Sequence, residues 1–211
     1  MKVSFILFGL LLSLQASTQI HTKQPLPDST TFKTKIIGNI KKFIRWTDRF
    51  GDNYLILTET NKIASPANIT KSKVDCGNGC TNKELYAYHF AGNDSLIWKL
   101  NDFIKNCNFD NIVEFRDEAT KITDLDKNGI AEIWLMYSMT CTNDISPRTL
   151  KLIMYQGNKK YAIRGTSQTV KQKTDEKLGN KYVPDKEFQT LPHPFKDFAR
   201  NLWTQYLYDV R

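Results

Sequence analysis

The sequence predicts an α+β fold made mainly of antiparallel β hairpins, with one C-terminal amphipathic helix packed on the sheet. Three observations carry this. Runs with period-two alternation recur, each pair joined by a short polar connection containing glycine. β-branched and aromatic residues concentrate in those runs. A single stretch near the end switches to helical periodicity.

The first hairpin is read in "TKIIGNIKKFIRWTD" and "YLILTET", with the turn at Gly51-Asp52-Asn53. "ELYAYHF" and "LIWKLNDFI" around "AGNDS" form the second, and "TLKLIMY" and "YAIRG" around "QGNKK" the third. In the helix, Pro194 suits a first turn, and Phe195, Phe198, Ala199, Leu202, Trp203, Tyr206 and Leu207 recur at helical spacing. Lys196, Asp197, Arg200, Asn201 and Gln205 fall on the other side, so the apolar stripe is expected to lie on the sheet. Trp46, Trp98 and Trp134 are expected in the core, where indole area is best buried.

Met1-Lys2 followed by the uncharged "VSFILFGLLLSL" and the small residues of "QASTQ" read as a secretory signal peptide over residues 1–18. Residues 19–31, with two prolines and no apolar periodicity, are expected to be a disordered lead-in, and residues 32–211 a single β-rich domain. No later run is long and apolar enough to span a bilayer. The expected product is exported, periplasmic or secreted, and monomeric. Removing Lys2 takes the formal charge from +8 to +7, and the densest basic stretch, Lys171 to Glu187, interleaves acids and reads as a solvated loop. Nucleic acid is not an expected partner of an exported chain.

Cys76, Cys80, Cys107 and Cys141 would meet an oxidising compartment, where disulfides are the default. Three pairings are possible, and the glycines of "CGNGC" favour closing Cys76 on Cys80, leaving Cys107 for Cys141. Zinc ligation and redox activity are disfavoured, because the spacing is neither paired Cys-x-x-Cys nor followed by a helix start.

The chemically loaded stretch is "ITDLDKNGIAEIW". Asp124, Asp126 and Asn128 stand at alternate positions, Gly129 permits a sharp turn, the Ile130 carbonyl follows, and Glu132 closes the set. Ca2+ takes six to eight hard oxygens, and alternate side chains on a curled loop can converge on one ion. An EF-hand would require an acid at position 12, where Leu135 stands. The shorter pattern resembles the calcium loops of FG-GAP and VCBS repeat proteins. That resemblance implies Ca2+ at Asp124, Asp126, Asn128, Ile130 and Glu132, in a clamping role.

"WTDRFGDNYLILTET", "ITDLDKNGIAEIWLMYSMTC", "ISPRTLKLIMYQGNKKYAIRG" and the aromatic helix together resemble a family of exported bacterial proteins described as surface polysaccharide biosynthesis proteins. The resemblance implies a part in the cell envelope, with a surface glycan or an envelope protein as partner. The competing reading is a glycan hydrolase using paired carboxylates, such as Glu114 with Asp117 or Glu132. Such an enzyme should show two carboxylates across an open cleft, whereas a non-catalytic factor should gather its acids only in the loop. No nucleophile elbow, zinc-binding helix or phosphate loop is present.

Overall fold

The computed structural model describes residues 19–21, 32–66, 76, 79–92, 94–169 and 182–209. Two antiparallel six-stranded sheets dominate. The first runs β1 (Gln19–His21), β2 (Asn39–Asp48), β3 (Gly51–Glu59) and β5 (Thr81–Ala91), with β4 (Ile63–Ala64) and β6 (Ser95–Cys107) both pairing with β5. The second runs β12 (Tyr182–Pro184), β11 (Lys159–Thr166), β10 (Thr149–Gln156), β9 (Glu132–Thr142) and β7 (Asp110–Phe115), with β8 (Lys121–Thr123) also on β9. Helices α1 (Lys186–Gln189) and α2 (His193–Gln205) follow. The molecule is therefore mostly antiparallel β with a small helical part.

Successive strand residues point to opposite faces, and the buried side chains sort accordingly. Leu55, Leu57, Leu85 and Ala87 from the first sheet meet Ile133, Leu135, Tyr137 and Ile153 from the second, forming the core between them. Trp98 of β6 stacks on Tyr155 of β10 across that core at 3.9 Å between ring centroids. The alternate residues Trp134, Met136, Leu152 and Met154 face outward, where Phe195, Ala199, Leu202 and Trp203 of α2 cover them. The expected helical stripe thus packs on the sheet. Each such side chain contributes about 1.5–3 kcal/mol when fully buried. Tyr86, Tyr88 and Phe90 on the far face of the first sheet are covered by Phe32, Ile36 and Ile37. The central strands are consequently wrapped on both faces, which is why "IAEIWLMY" reads as nearly continuous apolar sequence. Trp46, Trp98 and Trp134 are all buried, as expected.

Cys76 pairs with Cys80 and Cys107 with Cys141. The second bridge joins the end of β6 to β9 and so staples one sheet to the other. In the chain-entropy model its closed loop is worth about 4 kcal/mol, against about 2 kcal/mol for the short one.

Three local expectations need revision. The first hairpin turns at Arg49-Phe50, with Asp48 opposite Gly51, while Asp52 and Asn53 belong to the strand. The reason is Asp48, whose Oδ1 accepts from Phe50 N (2.9 Å) and Asn53 Nδ2 (3.0 Å), while Gly51 takes the left-handed φ of +99° that closes the turn. Gln19–His21, inside the stretch expected to lack structure, pairs backbone to backbone with β2 as β1. Of Lys171 to Glu187, expected to be a solvated loop, residues 182–184 form β12 on β11 and Lys186 opens helix α1, capped by Asp185 accepting from Phe188 N. The signal segment, residues 22–31 and the basic stretch 171–181 lie outside the described residues. Among those described, no helix is long and apolar enough to cross a membrane.

Candidate metal centre

The acidic loop fills the connection between β8 and β9 at the edge of the second sheet. Its curl is local chemistry. Asp126 Oδ1 accepts from Asn128 N (3.2 Å), Asp124 Oδ2 from Gly129 N (3.1 Å) and Asn128 Oδ1 from Ile130 N (2.7 Å). Lys127 and Gly129 take left-handed φ values of +56° and +81°, turning successive side chains inward. Glycine accommodates this without cost.

Three of the five expected ligands converge: Asp124, Asp126 and Glu132 each offer a carboxylate oxygen, all within 4.8 Å of one another. Oxygens up to about 5 Å apart can share one Ca2+ at its usual 2.3–2.6 Å bond length, so the donor set fits a hard divalent ion. Asn128 lies over the cluster with its amide nitrogen 2.8 Å from Asp126 Oδ2, so its oxygen is engaged by the loop backbone. Ile130 closes the turn through its N–H onto that oxygen.

Glu132 is the anchor. It has no solvent-exposed surface, and Oε2 accepts from Thr123 Oγ1 (2.7 Å) and Leu125 N (2.9 Å). Trp134 Nε1 donates in turn to Thr123 Oγ1 at 2.8 Å, fixing that hydroxyl from beneath the helix. Burial pushes the Glu132 carboxyl upward, the two hydrogen bonds oppose this, and the neighbouring charges of Asp126 and Asp124 add to it. A bound cation would reverse that cost.

Sequence reasoning missed two contributors. Gln156, directly opposite Glu132 on β10, donates Nε2 to Asp126 Oδ2 and Glu132 Oε1, both at 3.2 Å. Only the strand register reveals it. Asp48, from the turn of the other sheet, accepts from Ala131 N (3.2 Å), and Arg49 N donates to Gly129 O (2.7 Å). The loop is thus fastened to both sheets.

The alternative carboxylates fall elsewhere. Glu114 stands opposite Ser138, six residues along β9 from Glu132, a separation of roughly 20 Å along the strand. Glu114 and Asp117 do line one cavity together, so the acids gather in two places rather than in the loop alone. Glu114 is hydrogen-bonded to Arg148 Nη1 there.

Comparison of the chain with protein-family models, curated proteins and solved structures gives no significant match.

Proposed function

We propose that this chain is an exported, non-catalytic factor of the cell envelope, its two-sheet body clamped by one structural Ca2+, acting with surface polysaccharide or its assembly. The observation that carries the reading is the convergence of Asp124, Asp126 and Glu132 on a loop fastened to both sheets. The ion would be held by these carboxylates, with rotation of the Gln156 amide able to present a fourth oxygen. Its task is mechanical, clamping a hairpin whose anchor, Glu132, is buried and whose backbone is tied to both sheets. Two disulfides suit an oxidising compartment. Affinity on the order of 0.1–1 mM is expected, as in extracellular modules. Deleting the gene in its native host and profiling envelope glycans tests the role. The reading expects an altered profile that wild type restores and Asp126→Ala restores poorly; an unchanged profile in the deletion strain removes it.

The hydrolase reading has one observation in its favour, the shared cavity of Glu114 and Asp117. Release of reducing ends from envelope glycan by the purified protein, abolished in Glu114→Gln, would establish it. The bond from Arg148 to Glu114 favours binding over cleavage, since it occupies the carboxylate that would attack or transfer a proton.

A further inference from the structure

The two sheets do not end together. Among the described residues β6 pairs with β5 alone, so it is an edge of the first sheet. It stands over β10, where Trp98 stacks on Tyr155, and Asp102 accepts from Lys151 and, at 2.9 Å, from Tyr137 Oη. The matching face of β11 therefore runs out past that edge as an open shelf. Directly opposite residues share a face, and β11 sets Arg164 opposite Lys151, Ala162 opposite Ile153 and Lys160 opposite Tyr155. Ala162, Ile153 and Tyr155 belong to the core, whereas Lys160 and Arg164 are exposed. On the next strand Val183 stands opposite Arg164 and is 71% exposed.

Positive charge is in excess on this shelf. Like charges directly opposite on neighbouring strands are unfavourable, yet Lys151 faces Arg164. Asp102 spends both oxygens, Oδ2 on Lys151 and Tyr137 and Oδ1 on Phe103 N at 3.0 Å. Asp185, the other carboxylate acting on Lys160, caps α1 through Phe188 N. Burial, then the charges of Arg164 and Lys151, lower the Lys160 ammonium below its usual value, so the three cations stand close enough to repel. The side chains of Lys160 and Arg164 make no hydrogen bond or ion pair among the described residues.

We infer that the shelf binds an acidic polysaccharide, whose carboxylates are received by Arg164, Lys160 and Lys151. Cationic groups select a carboxylate over a hydroxyl by charge, and a guanidinium takes one in a bidentate fork. Lys160 and Arg164 are four residues apart, roughly 13 Å along the strand, so a chain of repeated acidic units reaches both where one small anion does not. Val183 beside Arg164 offers apolar contact to ring carbons. An acidic peptide adding to β6 as a further strand is opposed by the edge itself. Asp102 points a charge inward from that strand, and the β5–β6 register slips in two places, both of which hinder strand addition. The inference rests on the polysaccharide reading above and narrows its glycan to an acidic one.

The test is calorimetric titration of the full chain at low ionic strength, with calcium present throughout, using hyaluronate and polysialate as acidic polysaccharides, dextran as a neutral one and polyglutamate as an acidic peptide. Hyaluronate or polysialate is expected to bind and dextran not to. The double variant Lys160→Gln/Arg164→Gln should weaken that binding about tenfold with the melting temperature unchanged. Lys33→Gln/Lys35→Gln, which removes the same charge from two exposed positions elsewhere, should weaken it less than about twofold. The inference is overturned if neither acidic polysaccharide binds, if dextran or polyglutamate binds as well as they do, or if the two double variants lose binding alike. Failure here removes the shelf alone, whereas an unchanged glycan profile in the deletion strain removes the envelope role whatever hyaluronate does.

Discussion

The loop at the start of β9 and the cavity farther along the same strand both crowd carboxylates, yet they are assembled in opposite ways. The loop takes its three acids from nine consecutive residues with Lys127 the one basic residue among them, so on the reading proposed above an ion relieves most of their mutual repulsion. The cavity takes its charges from β7, the turn after it, the start of β10 and the C-terminal segment, and matches acid to arginine within the fold. Acids gathered by local sequence outnumber the basic residues beside them, whereas acids gathered by tertiary structure can bring their counter-charge with them. Stability should therefore depend on calcium at one place and on internal pairing at the other.

The largest effect should come from breaking the internal pairing. Asp209→Asn leaves Arg116 and Arg148 buried without their shared carboxylate, and removing one partner of a buried pair costs about 3–5 kcal/mol. Urea denaturation should show that loss equally with calcium and with chelator. Asp126→Ala should behave the other way round. In chelator its stability should lie within about 1 kcal/mol of wild type, because relief of an exposed repelled charge offsets the hydrogen bonds lost from Asn128 and Gln156. With calcium at roughly thirty times Kd it should lack the ~2 kcal/mol that the ion confers on wild type. A stabilisation by calcium that survives Asp126→Ala would place the ion elsewhere.

Acidification sharpens the contrast through His89, which reaches the loop by a chain of bonds. Asn53 Nδ2 donates to Asp48 and to Gly51 O, so Asn53 Oδ1 accepts from His89 Nε2 at 3.0 Å, and Asp48 ends on Ala131 N. Burial between Trp46 and Trp98 pushes His89 down from 6.5 to about 4, opposed weakly by Asp48. A base whose folded pKa is lowered contributes stability that is complete above pH 6.5 and is lost as pH falls towards about 4. The melting temperature should drop across that window, and His89→Gln should flatten the drop. Glu59, Asp117 and Glu132 are raised by burial and act in the opposite sense, weakening the fold as pH rises through their titration. The smallest effect is expected of Gln156→Ala, which removes two 3.2 Å hydrogen bonds and should weaken calcium binding several-fold in calorimetry while changing chelated stability by under about 1 kcal/mol.

What the sequence discloses follows the same division between local and distant. The hairpins, the helix, the short cystine and the acidic loop are each written within about a dozen residues, and periodicity or spacing reveals them. The turn at Arg49-Phe50 was displaced because the glycine signal marks the residue after the turn, and the capping carboxylate that decides the matter, Asp48, looks like part of a strand. That β3, β5, β9 and β10 are covered on both faces depends on how two sheets and a helix stack, which alternation in one strand does not encode. Gln156 reaches the acidic loop through cross-strand register, and Arg116, Arg148 and Asp209 meet only because residues 207–209 fold back along Gln168, just after β11. Arg116 ahead of the Asp117–Ala119 turn and Arg148 between Pro147 and a strand give no sign of such a partnership.

Calorimetric titration of calcium into chelator-treated protein, paired with melting curves before and after addition, bears most directly on the central claim. Saturable binding heat with a rise in melting temperature, both missing in Asp126→Ala, is the predicted result. Flat heats and superimposable melting curves for the wild-type chain would contradict it.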